Sequence, residues 1–341
     1  MSFLPAASLP ASSLNVLDMH TAGEPVRIVT GGYPVLQGAT ILDKRRDAVE
    51  NHDHLRTILM HEPRGHAGMY GVIPVQPSLA GAELAVLFCH ATGYSTMCGH
   101  ATIAIGRWAV ESGQVAHDGS TARFGLELPC GLVQVDATVE NGKVVKTAFE
   151  SVAAYIDRAN LSVPVPELGK IHCDVVFGGA FYAILPASRL NVSFEGGLTQ
   201  LTETAAKFFA AVRAIYTPHH PGDEDLSFLY GVILVDDALG DAPSRNLCLF
   251  GEAQIDRSPT GSGVTARMAL DVLQKRMALG QSRRFYGPTG DGFDAVGVKL
   301  TTFHAKPAVH IRVEGRSFYT GTAKYIVETD DPLREGFLLP V

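Results

Sequence analysis

The sequence of 341 residues has no apolar run of the roughly 18 residues that would suggest a membrane-spanning helix, so a membrane partner is not expected. It also has no dense Lys/Arg stripe. Lys and Arg number 28 against 35 Asp and Glu, for a formal charge of -7 and a pI near 6.0. That balance favours solubility and argues against nucleic acid as a partner. Only five cysteines occur, at 89, 98, 130, 173 and 248, odd in number and without a C-x-x-C pair, which points to a reduced, cytoplasmic protein. The N-terminal "MSFLPAASLPASSLNVL" lacks the basic start of a signal peptide and reads as a short tail leading into the first strand. G-x-S-x-G, Walker and H-E-x-x-H patterns are missing, and no G-x-G-x-x-G follows a strand. No phosphate-bearing cofactor and no catalytic metal is therefore expected. His20, His61, His66, His90 and His100 show no ligand spacing, and "PHHPGDED" reads as a solvated turn.

What is present is a chain 46% hydrophobic and 18% charged, long enough for two domains of ordinary size. Short β-branched runs recur between turns rich in Gly, Pro and Asp: "EPVRIVT", "AELAVLFC", "GLVQVDATV", "CDVVFGG", "FYAILP", "YGVILV", "AVGVKL" and "AVHIRVEG". These are strand candidates. Helical patterns begin at Lys44, after Cys98 and at Val264. Strands far outnumber helices, so the expected class is α+β. The helix after Cys98 is apolar almost all round, through Ile103, Ala104, Ile105, Trp108, Ala109 and Val110, and so should be surrounded by sheet.

Two short segments carry the chemistry. In "STMCGH", Cys98 is followed by Gly99 and His100 at a helix start; in "DRSPTGSG", Thr260 is followed by Gly261 and Ser262 at another. A helix start presents unsatisfied amides and the positive end of the dipole, which can hold a carboxylate and favour the ionised form of a thiol. The glycines permit close backbone approach. Cys98 read alone is first of all a small buried residue, as free cysteines usually are, and the second segment alone is equally an ordinary glycine-rich cap. The two positions lie 162 residues apart, almost half the chain, and suggest two similar lobes whose helix starts face one another.

Together these motifs resemble the proline racemase superfamily. "DMHTAGEPVRIV" from Asp18, "EPRGHAGMYG" from Glu62, "GYSTMCGH" from Gly93, "DRSPTGSG" from Asp256 and "DDPLREGFLL" from Asp330 are similar to its segments, in its order, over nearly the whole chain. The resemblance implies a diaminopimelate epimerase-like fold of two lobes, each a curled sheet around a central helix, with the active site between them and no cofactor. The lobes would comprise residues 1–152, completed by 321–341, and residues 153–320.

Racemases and epimerases of the superfamily place one cysteine on each face of the substrate α-carbon. Here the first matches as Cys98, but the second position is Thr260, whose hydroxyl is a poor proton donor or acceptor at neutral pH. The Cys-plus-Thr pairing resembles the branch that removes water from trans-3-hydroxy-L-proline to give a pyrroline carboxylate. By that resemblance Cys98 is the proton acceptor, and Thr260 occupies the opposite face without acid or base work. The amides of Gly99, His100, Gly261 and Ser262 hold the carboxylate, and His100 with Asp256 binds the ring nitrogen. The expected partner is the small molecule hydroxyproline, with a homodimer left open. Alternatives are a 4-hydroxyproline epimerase or proline racemase that tolerates Thr260. Outside the superfamily stand a cysteine hydrolase and a non-catalytic binder of proline-like amino acids.

Overall fold

The computed structural model describes residues 11–117, 119–251 and 254–339. The expected tail up to residue 10, and the last two residues of the expected closing segment, lie outside the described residues. A first series of strands comprises β1 (Ala11–Thr21), β2 (Glu24–Gly31), β3 (Tyr70–Val75), β4 (Leu84–His90), β5 (Gly93–Ser95), β6 (Thr121–Leu128), β7 (Gly131–Glu140) and β8 (Lys143–Glu150). Helices α1 (Ile41–Asn51) and α2 (Asp53–Met60) fill the gap after β2, and α3 (Gly99–Glu111) follows β5. The second series starts with β9 (Ala154–Val165), β10 (Gly169–Phe177), β11 (Phe181–Pro186), β12 (Leu229–Val235), β13 (Ser244–Phe250) and β14 (Gln254–Ile255). It ends with β15 (Ser282–Tyr286), β16 (Gly292–Phe303), β17 (Lys306–Gly315) and β18 (Ser317–Glu328). Helix α4 (Leu198–Ile215) precedes β12, and α5 (Gly261–Leu273) follows β14.

The pairing pattern occurs twice. β1 is antiparallel to β2, β2 parallel to β3, β3 antiparallel to β4, and β4 borders both β5 and, in parallel, β6. The same sequence of directions runs from β10 through β11, β12 and β13 to β14 and β15. Antiparallel pairs β6–β7 and β7–β8 are matched by β15–β16 and β16–β17. Each series gains one strand at its beginning, β18 on β1 and β9 on β10. The α+β class expected from the sequence is present. The strands nevertheless form one mixed, hydrogen-bonded sheet of eighteen rather than two separate ones, because β17 borders both β8 and β9.

Local sequence explains the helices. In α1, Thr40 and Asp43 form a reciprocal capping box, which starts the helix at Ile41, three residues before the expected Lys44. The pattern then breaks at His52 and resumes as α2, so the single expected helix is two. Helix α4 was not expected; it buries Leu201, Ala205, Phe208, Phe209 and Val212 on one stripe. Helices α3 and α5 are buried on nearly every side, as an all-round apolar sequence requires. α3 packs against β1, β2, β7 and β8, and α5 against β9, β10, β11 and β16, while both touch β17. Their side chains, including Ile103, Ile105, Val264 and Met268, share one hydrophobic core. Burying each such side chain contributes about 1.5–3 kcal/mol, which holds two helix starts rigidly at the centre of the molecule.

Candidate active site

The starts of α3 and α5 touch. A Cβ built on Gly99 would fall 2.4 Å from Gly261 Cα, and one built on Gly261 would fall 2.6 Å from Gly99 Cα. Only glycine lets two backbones approach so closely. The structure thus brings together Cys98, Gly99, His100, Asp256, Thr260, Gly261 and Ser262, every site residue expected from the sequence, around one cavity.

The two starts differ in detail. Cys98 has extended backbone (φ -142, ψ 110), and its Sγ accepts a hydrogen bond from Ala101 N at 3.4 Å, so the sulfur itself caps α3. Thr260 sits at φ 65 and ψ 95, a conformation rare for a β-branched residue and costing on the order of 1–3 kcal/mol. Its surroundings enforce it. Thr260 N donates to Ser258 Oγ at 3.0 Å, Asn246 Nδ2 donates to the Pro259 carbonyl at 3.1 Å, and Val264 N donates to the Thr260 carbonyl at 2.6 Å. Thr260 Oγ1 does not cap α5. It is buried without a hydrogen-bond partner at normal distance, and the nearby Cys248 thiol is at most a weak donor.

His100 lies between charges. Its Nδ1 is 3.2 Å from Cys98 Sγ and 3.6 Å from Asp256 Oδ2. Burial opposes the imidazolium most strongly, but the negative charges of Cys98 and Asp256 outweigh it and hold His100 well above the usual imidazole range. Thr21 Oγ1 donates to the His100 carbonyl at 2.9 Å, and Asp256 Oδ1 accepts from Ser258 N at 2.8 Å.

Aromatic walls complete the cavity, and sequence reasoning missed them. Tyr70, Tyr182 and Tyr230 line it together with Met97 and Phe250. The Tyr70 hydroxyl bonds to Ser95 Oγ, and its ring meets the His100 ring edge-on at 4.8 Å. The Tyr182 hydroxyl bonds to Ser262 Oγ at 2.7 Å, on the α5 side. Burial pushes all three phenols well above their usual range, so they stay protonated donors. Each tyrosine stands first or second in its strand, where β3, β11 and β12 begin beside the helix starts; that placement was the available signal. The enclosed volume is about 10 Å³, room for about one water.

Two further segments hold the site from outside. Glu24, in "HTAGEP", accepts from Arg257 N at 2.7 Å and thereby anchors the loop before Thr260. Burial, and then the charge of Asp256, push the Glu24 carboxyl up to about 8. "EPRGH" lies away from the cavity: Glu62 and Phe337 exchange backbone hydrogen bonds at 3.0 and 2.9 Å, and Arg64 donates to the carbonyls of Ile326 and Arg334. It braces the C-terminal segment. Among the described residues no three His, Cys, Asp or Glu side chains are grouped to hold a metal ion, and no helix is long and apolar enough to cross a membrane. All five cysteines are free thiols, four of them buried.

The profile of the family described as proline racemase matches residues 16–338. The chain belongs to the proline racemase family. Among relatives in that family, a Homo sapiens protein named trans-3-hydroxy-L-proline dehydratase is 46% identical over 334 residues, covering 96% of this chain and 94% of its own. A protein of the same name from Colwellia psychrerythraea is 38% identical over 335 residues, covering 96% and 93%. Among solved structures, a hydroxyproline epimerase from Agrobacterium vitis with bound trans-4-hydroxy-L-proline superimposes with a TM-score of 0.91 at 24% identity, covering 97% of each chain. That likeness establishes the proline racemase fold.

Proposed function

We propose that this protein is a cofactor-independent hydro-lyase that removes water from trans-3-hydroxy-L-proline to give pyrroline-2-carboxylate, with Cys98 as the base. The observation that carries this reading is the asymmetry of two abutting helix starts, one bearing a thiol and the other a hydroxyl. Relatives named for this dehydratase, similar over nearly their full length, support it.

Removing an α-proton without a cofactor electron sink needs fixed dipoles where negative charge develops. The amides of Gly99, His100, Gly261 and Ser262 supply them by holding the substrate carboxylate at both helix starts. Asp256 holds the ring nitrogen and offsets its positive charge, while His100, an imidazolium with donors only, faces Asp256 and Cys98 and does not accept from that nitrogen. Cys98, as thiolate beside the His100 imidazolium, takes the α-proton. Thr260 offers its unpartnered hydroxyl to the substrate from the other face, without acid or base work.

Stereochemistry agrees with a single base. In the trans-3-hydroxy isomer the hydroxyl and the α-hydrogen both lie opposite the carboxylate, hence on one face of the ring. Elimination is then syn and needs proton chemistry on the Cys98 side alone. The enamine formed first, with its C2–C3 double bond, tautomerises to the pyrroline.

We further propose two working lobes, residues 1–152 completed by 321–341, and residues 153–320. The repeated strand pairing and the two helix starts support that division. A cavity of about 10 Å³ is too small for a proline ring, so groups that line it must move to admit one. A cytoplasmic setting is consistent with five free thiols.

Product analysis by NMR on a panel of hydroxyproline isomers tests the function. The trans-3-hydroxy-L isomer should be dehydrated, trans-4-hydroxy-L-proline left intact, and cis-3-hydroxy-L-proline turned over poorly. Equal turnover of both 3-hydroxy isomers, or D-proline from L-proline, would overturn the single-face mechanism. Epimerisation without elimination would overturn the dehydratase reading itself.

A further inference from the structure

A syn elimination leaves one requirement that Cys98 does not meet alone. Hydroxide is a poor leaving group, and the thiolate begins the reaction without a proton to give it. A donor must stand on the Cys98 face, already protonated, within the cavity. Three tyrosines line that cavity. The Tyr182 hydroxyl is bonded to Ser262 at the α5 start, the Thr260 side. Tyr230 stacks on Phe250 at 5.4 Å and lies near both Cys98 and Tyr70, on a strand of the other series. Tyr70 is the one tied to the Cys98 segment itself: its hydroxyl bonds to Ser95, three residues before Cys98, and its ring is set edge-on against His100, Cys98's neighbour.

Resting on the dehydratase reading above, we propose that Tyr70 is the general acid that protonates the departing 3-hydroxyl, with Ser95 as its positioning residue. Ser95 Oγ–H donates to the phenol oxygen, which leaves the phenol proton free to point into the cavity and later stabilises the phenolate. The proton count closes within the site. Cys98 thiolate takes the α-hydrogen and becomes thiol. The C–H electron pair forms the C2–C3 double bond, the C3–O bond breaks, and the oxygen leaves as water with the proton from Tyr70. The phenolate then recovers its proton from the Cys98 thiol, restoring thiolate and phenol with no outside acid. Return of that proton is downhill, because burial and the charge of Cys98 hold the Tyr70 phenol well above its usual range. The same displacement keeps it protonated at working pH.

The test compares two leaving groups. Tyr70→Phe keeps the buried ring and removes only the hydroxyl. Dehydration of trans-3-hydroxy-L-proline should fall roughly 10²–10⁴-fold in kcat, the usual size of general acid catalysis. Elimination of fluoride from trans-3-fluoro-L-proline, which needs far less protonation, should fall by less than about tenfold. Ser95→Ala should show the same selectivity in weaker form, and serves if the first variant misfolds. Equal losses on both substrates would reduce Tyr70 to a packing role, and unchanged dehydration would remove it from the reaction. Either result overturns the assignment. A wild type that eliminates from neither substrate would instead overturn the dehydratase reading, and the assignment with it.

Discussion

Gly99→Ala tests whether the contact between helix starts matters to function. The added methyl would lie 2.4 Å from Gly261 Cα, 2.7 Å from Gly261 C and 3.0 Å from Ser262 N. Ordinary contact begins near 3.4 Å, so one start must retreat by about 1 Å. The obstructing atoms are backbone, and no flexible side chain can swing away to make room. Overpacking of this kind costs about 1–3 kcal/mol. The larger effect falls on catalysis, because the amides of both starts would hold the substrate carboxylate, and a misplacement of about 1 Å costs on the order of 10²-fold in rate. Initial dehydration rates with a thermal melt on the same preparation separate the two effects. Gly321→Ala is the control: nothing lies within 4 Å of its Cβ position, and stability should stay within about 0.5 kcal/mol. A Gly99→Ala variant with near wild-type kcat/KM would refute the idea that carboxylate binding depends on the abutting starts.

Cys98→Ala should lose turnover by at least roughly 10³-fold while calorimetry still detects substrate binding, since the helix-start amides remain; substantial residual activity would exclude Cys98 as the base. A thiol reagent should inactivate the wild type with protection by substrate, and inactivation persisting unchanged in the Cys98 variant would redirect attention to another thiol. Thr260→Cys should allow some formation of D-proline from L-proline, followed by chiral chromatography; a folded variant with no inversion would mean that more than residue 260 separates the two activities. Glu24 gives a pH signature. Its folded value, raised to about 8, means that its contribution to stability is complete below the ordinary carboxylate value and is lost as pH rises through about 8. The melting temperature of the wild type should therefore fall more steeply between about pH 4.5 and 8 than that of Glu24→Gln; parallel curves would show that Glu24 is ionised in the folded protein.

The strand candidates were legible because a β-branched run between turn residues has few other uses. "FYAILP" and "YGVILV" became β11 and β12 almost residue for residue. The two central helices were legible because an apolar sequence on every side can be satisfied only by surrounding sheet. Helix α4 was not, since its Thr and Ala positions dilute the stripe through Leu201, Phe208 and Val212. The chain positions of the site residues could be read, but not the positive φ of Thr260. That conformation is imposed by Asn246 and Ser258, one of them 14 residues away in sequence. Tyr70 and Glu24 were invisible as site residues for a similar reason: only tertiary pairing carries β2 and β3 to the helix starts.

The repeat explains how one scaffold can host different chemistry at its two centres. Strand pairing fixes where each helix begins, and the glycines fix how closely the two beginnings approach, so the proposed carboxylate binding would depend on features shared by both series. The proposed proton transfer would depend on features that are not shared. Cys98 has relaxed, extended backbone and a sulfur already bonded to its own helix and facing an imidazole. Thr260 is held in a strained conformation with its hydroxyl buried and unpartnered. A buried hydroxyl without a partner is costly in the free protein, by about 1–3 kcal/mol, and that cost is recovered only when a ligand supplies the missing bond. Under the proposed mechanism the second start would therefore improve substrate binding at the expense of the empty state. The first, under the same mechanism, would hold the charge that reacts. Exchanging a single side chain changes the atom presented at residue 260, but leaves the strained backbone that presents it.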